Sequence, residues 1–200
     1  MCFHSKQSKS AQELEHRFKA KMLQPQAYKP AIYNGFQFPQ MPVVANAQPE
    51  AIQLFQWGLI PPWAKDDSIR KNTLNARSET LLEKPSFRSV IHQRCLVLSD
   101  GFFEWQWLDD KGKQKKKFLL SLSNEEAFAF AGLWSEWVDT STGEIIPTFT
   151  ILTTAANPLM AAIHNTKQRM PVILAPEHEQ SWLNGQPFQL QNDRLQATEL

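Results

Sequence analysis

The sequence predicts an α+β fold around an antiparallel sheet or barrel, because most of its patterned segments have the length of strands and few have the length of helices. Residues 24–50 carry a proline every few positions, which predicts loops and short extended pieces there. Residues 109–113 (Asp-Asp-Lys-Gly-Lys) fit a hairpin loop between two strands. Short apolar runs typical of strands occupy 52–57, 95–98, 118–122, 128–131, 149–153 and 170–174.

The helix signals lie near the two ends of the chain. Ser10 and Glu13 have the spacing of a capping box. Leu14, Phe18 and Met22 then recur every fourth residue, so the first helix is predicted to run to near residue 25. In the C-terminal third, an Asn-Pro pair predicts an N-cap and a helix over 158–164. A last helix is predicted to begin at residue 176, followed by a tail to residue 200.

Length, composition and charge limit the classes of function that this protein can have. The 200 residues are 42% hydrophobic, which suits a single domain over 1–200 with a real core. Lys and Arg number 21 against 20 Asp and Glu, so bulk charge cannot hold a nucleic acid and a local basic patch would be needed. We expect a monomeric, cytoplasmic protein in a reducing compartment, because there are two cysteines, no signal peptide and no membrane span.

Cys2 is the most informative candidate residue. A small residue after the initiator Met favours removal of Met1, which would expose a cysteine with two nucleophiles on adjacent carbons. In unstructured peptides the α-amine has a pKa of about 8 and the thiol a pKa of about 8.5. The amine can condense with an aldehyde, and the thiol can then close onto the same carbon as a thiazolidine. The alternative is an ordinary cysteine on a frayed terminus.

Four further polar residues lie in short motifs that suit chemistry. Asn75 can hydrogen-bond an amine or a sugar, and Arg77 can bind a phosphate, unless they are a helix cap and a solvated charge. Glu104 lies between aromatic residues, which would raise its pKa for acid–base work unless it faces solvent. His164 is a candidate proton carrier, although a lone histidine is more often structural. No histidine has zinc-type spacing with a cysteine, so we expect no metal site and no cofactor.

Aromatic and basic runs suggest where a nucleic acid would lie. The segment from Trp57 to Trp63, which includes Pro61, could present a platform for stacked bases or be a cluster at the edge of the core. The densest basic run consists of lysines at 111, 113 and 115–117. Such a run is most often a solvated hairpin and less often a set of phosphate contacts.

An ordered set of motifs resembles the SOS-response-associated peptidase (SRAP) family from Cys2 to about Leu174. Each motif is weak alone, but the ordered set is highly specific. The motifs are Met1-Cys2, 57–61 (Trp-Gly-Leu-Ile-Pro), 75–80 (Asn-Ala-Arg-Ser-Glu-Thr), 101–105 (Gly-Phe-Phe-Glu-Trp), 131–134 (Ala-Gly-Leu-Trp), Ile163-His164 and 169–174 (Arg-Met-Pro-Val-Ile-Leu).

The resemblance implies a mainly antiparallel, barrel-like domain that recognises abasic sites in single-stranded DNA. It implies a covalent crosslink through Cys2, with Asn75 orienting the amine and the opened sugar. Glu104 would be the acid–base carboxylate, also linked to Met1 removal, and His164 would assist ring opening and imine formation. The expected DNA contacts are Arg77, Arg169, Trp57, Pro61 and Trp63, and association with the nucleoid would follow DNA binding.

Two departures from the family pattern affect the expected DNA contacts. Phe3-His4 stands where the family often has Gly-Arg, whose Arg contacts phosphate. Residues 165–168 (Asn-Thr-Lys-Gln) separate His164 from Arg169, which commonly lie closer together in the family. Two rival functions stay open from the residues themselves. One is a thiol peptidase that uses Cys2, His164 and Glu104, and the other is a noncovalent single-strand-binding module.

Overall fold

The computed structural model describes residues 2–124, 126–190 and 194–200, and within these ranges thirteen β-strands and four α-helices form. The strands are β1 His4–Gln7, β2 Lys21–Met22, β3 Ala31–Asn34, β4 Gln40–Ala45, β5 Ala51–Trp57, β6 Asn75–Arg77, β7 Arg94–Ser99, β8 Gly101–Trp107, β9 Lys115–Leu122, β10 Phe128–Val138, β11 Ile145–Ala155, β12 Arg169–Pro171 and β13 Leu195–Glu199. The helices are α1 Ala11–Phe18, α2 Pro85–Arg88, α3 Pro158–Ile163 and α4 Glu179–Leu183. The expectation that Met1 is removed concerns a residue outside the described ranges.

Five strands close into a small barrel, which confirms the predicted fold class. Antiparallel pairing joins β5 to β4, β4 to β7, β7 to β10 and β10 to β11. A short parallel pairing of β11 with β5, at Thr148–Gln56 and Phe149–Trp57, closes the ring. Closure leaves no unpaired edge between these strands and encloses their inward-facing side chains.

A second, antiparallel sheet of five strands lies beside the barrel in the order β13-β9-β8-β1-β3. Its edge strand β13 pairs with β9 at Leu195–Leu122 through Glu199–Phe118. The sequence predicted only a helix and a tail from residue 176 onwards, so the C-terminal strand is a correction. The segment Leu-Gln-Ala-Thr-Glu is short and mostly polar, so its sequence does not predict a strand. It becomes a strand by pairing with β9.

The alternation of side chains along the strands divides the core into two apolar layers. In β10, Phe128 and Phe130 pack into one cluster, while Ala129 and Ala131 pack into the other. Gly132 allows β7 and β11 to approach, because a Cβ there would lie 2.8 Å from the Cys95 Sγ atom. The glycine of the 131–134 motif is therefore needed for close packing.

The starts of the first two predicted helices are confirmed, but both helices end earlier than predicted. The last helix was predicted from residue 176, whereas α4 begins at Glu179, after a 3₁₀ turn over Pro176–His178. Ser10 forms the capping box with Glu13, but α1 ends at Phe18, and Met22 belongs to β2, which pairs with β5. The Asn157 side chain caps α3, which ends one residue before His164. The predicted strand over 170–174 is regular only to Pro171. None of the helices in the described part of the chain is long and apolar enough to cross a membrane.

Candidate active site between the barrel and the second sheet

Cys2 lies where the two sheets meet. Its side chain is fully buried, and the chain continues directly into β1, which pairs with β8 of the second sheet. On the barrel side, the Asn75 Nδ2 atom donates a hydrogen bond to the Cys2 carbonyl at 2.9 Å. Cys2 is therefore fixed by both sheets, and the alternative of a residue on a frayed terminus is wrong.

The Cys2 thiol is held in its protonated form. Burial, and then the negative charge of Glu104, raise the pKa of the thiol well above its ordinary value. The Sγ atom donates a long, weak hydrogen bond to the His4 carbonyl at 3.9 Å. A thiol in this state is a poor nucleophile until a neighbouring base accepts its proton.

Asn75 begins β6, which runs parallel to β11, so the alternative of a helix cap at this residue is wrong. The preceding residue, Leu74, is fixed because its carbonyl accepts from the Trp57 Nε1 atom at 2.8 Å. The Asn75 Oδ1 atom is buried and has no hydrogen-bond partner among the described residues. A buried amide oxygen without a partner is costly, so it can bind a donor that arrives with a substrate.

Glu104 lies on β8, opposite Phe118 of β9. It is only 5% exposed, so the alternative of a solvent-facing glutamate is wrong. Burial raises the pKa of its carboxyl group from 4.5 to about 7. A carboxyl group with this pKa can both accept and donate a proton near neutral pH.

His164 follows the last residue of α3, and the backbone of Arg169 holds its ring. The Nδ1 atom is 2.9 Å from the Arg169 carbonyl oxygen, and the Arg169 N–H group donates to it at 3.2 Å. Nδ1 therefore has a partner whether or not it carries the proton. Burial lowers the pKa of the imidazole below 6.5, so the ring is neutral at pH 7 and can accept a proton.

Asn165 connects the segment after His164 to the strand that carries Glu104. The Trp107 N–H group donates to Asn165 Oδ1 at 3.1 Å, and Asn165 Nδ2 donates to the Trp107 carbonyl at 2.8 Å. The Asn165 side-chain amide thus forms with the Trp107 backbone the two hydrogen bonds that a residue of a neighbouring strand would form. Nothing in the sequence indicates this role of Asn165, because its partner is a backbone group remote in sequence.

The two predicted arginine contacts differ in their surroundings. Arg77 is exposed at the end of β6. The Arg169 guanidinium donates to both carboxylate oxygens of Glu79 at 2.7 and 2.8 Å and to the Thr153 carbonyl at 2.8 Å. A phosphate at Arg169 would have to compete with this bidentate pair, whereas Arg77 can bind one directly. The anchored Arg169 side chain instead supports the backbone that holds His164.

The predicted aromatic platform divides into buried and exposed parts. Trp57 is fully buried and stacks on Phe149, with ring centroids 6.1 Å apart, so a base cannot reach its ring. Pro61 is also buried, whereas Trp63 is 55% exposed. Within this segment, Trp63 is the ring available for stacking, and Trp57 supports the segment from inside the barrel.

A cavity of about 470 Å³ brings several of these groups together. Phe3 and Phe36 form one wall with ring centroids 4.8 Å apart, and His4 contacts Trp105 edge-on at 4.9 Å. A larger cleft of about 760 Å³ beside α1 contains none of the candidate residues. The described residues contain no group of His, Cys, Asp and Glu that could hold a metal ion. Cys2, which is fully buried, does not line this cavity, although its neighbour Phe3 does. The cavity is lined by Phe3, His4, Phe36, Glu104, Trp105, Trp107, Lys115, His164, Thr166 and Lys167.

The fold and the buried groups where its two sheets meet define a class of small β-barrel protein that keeps a protonated cysteine within the electrostatic reach of a carboxyl group able to exchange protons at neutral pH. The sequence profile of the SOS response associated peptidase (SRAP) family matches residues 1–199, so the chain belongs to that family. The resemblance seen in the motifs is confirmed. It extends beyond Leu174, because the match includes the C-terminal strand β13.

Named relatives and solved structures agree with this assignment. The abasic site processing protein YoqW of Bacillus subtilis (strain 168) is 49% identical over 143 residues, which are 71% of this chain and 60% of that protein. The abasic site processing protein HMCES of Gallus gallus is 32% identical over 164 residues, covering 70% of this chain and 47% of that protein. The chain thus spans about half to three fifths of the length of these curated relatives.

A crystal structure of a Bacteroides thetaiotaomicron protein superposes with a TM-score of 0.89 at 35% identity, covering all of this chain and 92% of the other. A Bordetella bronchiseptica protein superposes with a TM-score of 0.82 at 26% identity, covering all of this chain and 99% of the other. The barrel and its companion sheet are therefore a fold shared across nearly the whole length of these chains.

Proposed function

We propose that this protein senses abasic sites in single-stranded DNA and bonds to them covalently through Cys2 after Met1 is removed. The observation that carries the proposal is the placement of Cys2: it is fixed by Asn75 on one side and lies within the electrostatic reach of Glu104 on the other. The relatives named as abasic site processing proteins support the choice of substrate.

The first step is opening of the sugar. An abasic deoxyribose is mostly a closed hemiacetal, and its C1′–O4′ bond must break to release the aldehyde. The neutral imidazole of His164 accepts the proton of the C1′ hydroxyl group and returns a proton to O4′, so the net charge is unchanged. The two partners that the Arg169 backbone offers to Nδ1 let the ring change its protonation without losing a hydrogen bond.

The second step joins the protein to the sugar. The Cys2 α-amine attacks C1′ and water leaves, which gives an imine. The Asn75 Oδ1 atom, which lacks a partner among the described residues, can accept a hydrogen bond from the attacking amine or from the opened sugar. The Cys2 sulfur then adds to C1′, its proton passes to Glu104, and the nitrogen takes up a proton. The product is a thiazolidine, and no oxidant or reductant is consumed.

The protonated thiol distinguishes this mechanism from a thiol peptidase. Such a peptidase needs a thiolate that attacks first, usually paired with an imidazolium. Here the pKa of the thiol is raised and the pKa of His164 is lowered, so both groups are neutral at rest. In the proposed order of steps the thiol reacts second, in an intramolecular ring closure. The high effective concentration of the thiol in that step compensates for its being protonated.

The test is an intact-mass measurement after mixing with an oligonucleotide that contains one abasic site. The expected product has the mass of the protein without Met1 plus the oligonucleotide minus one water, and it survives heating in denaturant. Cys2→Ala should abolish it, and Cys2→Ser should give at most a labile imine, because a hydroxyl closes the ring poorly. Cys95→Ala is the matched control and should crosslink normally, since Cys95 is buried within the barrel.

Three outcomes would contradict the proposal. A crosslinking protein that retains Met1 would exclude the amine chemistry, because only a free Cys2 amine forms the imine. Cleavage of peptides in trans without an adduct would favour the peptidase. Retention of DNA under native conditions only would favour a noncovalent single-strand-binding module.

A further inference from the structure

Lysines lie against aromatic rings on the outer face of the second sheet. The register of β8 and β9 places Trp107 opposite Lys115 and Trp105 opposite Lys117, so all four side chains share one face. The Lys115 Nζ atom is 4.8 Å from the Trp107 ring centroid, and the Lys117 Nζ atom is 6.0 Å from that of Trp105. We name these four residues, Trp105, Trp107, Lys115 and Lys117, the lysine–tryptophan platform.

The platform is held from two sides, although it lies at the end of a hairpin. Gly112, with φ +61°, packs so closely on Trp107 that a Cβ would lie 2.7 Å from the indole ring. The backbone of Trp107 is held from the other direction by the two hydrogen bonds to Asn165. Binding a ligand here would therefore require little ordering of the protein.

The positive charge of the platform is not neutralised by carboxylates in the described part of the chain. Lys116, which points to the opposite face, pairs with Glu199 at 2.9 Å. Among the described residues, Lys115 and Lys117 form no ion pair with a carboxylate. Exposed cations beside aromatic rings fit a ligand with alternating anions and flat apolar groups, which is the chemistry of a single-stranded nucleic acid.

The platform is continuous with the candidate active site. Trp105, Trp107 and Lys115 line the same cavity as Glu104 and His164. Arg77 lies instead on β6, which pairs with the barrel strand β11. Cys2 lies between the two sheets, so groups that could bind phosphates occur on both sides of it.

From this arrangement we propose that the lysine–tryptophan platform binds the DNA strand on one side of the abasic site, while Arg77 binds it on the other. The strand then crosses the junction between the sheets, and its abasic sugar lies at Cys2. This assignment rests on the proposed function for the position of the sugar. The contacts themselves need only a single strand, because phosphates bind the two lysines and bases pack against the parts of the half-buried tryptophan rings that remain exposed.

The test compares one-sided oligonucleotides that carry a tetrahydrofuran abasic analogue, which has no aldehyde and cannot crosslink. One extends about eight nucleotides 5′ of the analogue and the other the same length 3′. The variant Lys115→Gln/Lys117→Gln is compared with Lys111→Gln/Lys113→Gln, which removes the same charge from the hairpin loop. Equal thermal unfolding midpoints would show that both variants fold normally.

The platform variant should lose affinity for only one of the two oligonucleotides. For that oligonucleotide, the slope of log affinity against log salt should become shallower by about 1.4, which corresponds to two phosphate contacts. Arg77→Ala should weaken binding of the other oligonucleotide, and the loop variant should bind both normally. Equal losses on both oligonucleotides, losses as large in the loop variant, or unchanged binding in the platform variant would each overturn the proposal.

The failure of this assignment can be distinguished from the failure of the proposed function. Wild-type protein that forms no adduct with a true abasic site would refute the proposed function. The loss of binding to only one oligonucleotide in the platform variant would still show that the platform binds DNA. Normal crosslinking to a site with short flanks, together with no one-sided loss, would refute the platform alone.

Discussion

Glu104→Gln tests the electrostatics of the candidate site, because it preserves the shape of the side chain and removes its charge. Burial raises the pKa of Glu104 from 4.5 to about 7 in the folded protein. The folded state therefore binds this proton more tightly than the unfolded state, so stability falls as pH rises from 4.5 to about 7 and is then constant. At about 1.4 kcal/mol per pKa unit, the ionised carboxylate costs about 3 kcal/mol above that range.

The expected result is a stabilised variant at alkaline pH. In urea unfolding, the advantage of Glu104→Gln over wild type should grow from under about 1 kcal/mol near pH 5 to about 3 kcal/mol near pH 8. Glu136→Gln is the matched control, because Glu136 is exposed on β10 and its replacement should change stability by less than about 0.5 kcal/mol at either pH. A Glu104 variant that is less stable than wild type at pH 8 would refute the burial argument.

The same variant should crosslink slowly although it is more stable. Glutamine cannot accept the Cys2 thiol proton, so adduct formation should slow by about 10²–10⁴-fold. Binding to an undamaged single strand should be unchanged, because the lost group acts on the thiol and not on DNA. Rapid crosslinking by Glu104→Gln would show that another group takes the proton.

Variants at three further residues test neighbouring parts of the site. His164→Ala should slow adduct formation by about 10²–10⁴-fold with near-normal binding to undamaged strands, and equal losses in both assays would make His164 a binding residue. Arg77→Ala should weaken all sequences alike and reduce the salt slope by about 0.7, whereas a base-dependent loss would contradict a phosphate contact. Asn165→Ala should slow crosslinking by about ten- to a hundredfold by releasing the segment after His164, with Asn165→Asp intermediate, and a wild-type rate would exclude its positioning role.

Local signals in the sequence were sufficient for the starts of two helices, α1 and α3. The capping box at Ser10 and the Asn157 cap each satisfy backbone groups within three residues, so their effect does not depend on distant contacts. The end of α1 was predicted too late, because pairing of β2 with β5 overrides the helical periodicity that continues to Met22. Strand β13 was missed for the same reason, since its partner β9 is remote in sequence.

The sequence by itself determined the family and which residue types are candidates for the chemistry. A cysteine at position 2, an amide, a carboxylate and an imidazole in short ordered motifs indicated the family and suggested Cys2 as the nucleophile. These inferences needed no geometry, because each motif is a local run of residues. The tertiary structure was required for the state of each group, since protonation depends on burial and on charges brought from other strands.

Only the fold decided that the Cys2 thiol is protonated, that the pKa of Glu104 is near 7, and that the Arg169 guanidinium is engaged by Glu79. Each of these depends on contacts between residues far apart in sequence, which composition and spacing do not encode. Trp57 shows the same limit, because alternation alone could not tell a buried ring from an exposed platform. The sequence names the candidate groups, and the junction of the two sheets sets their burial and therefore their pKa values.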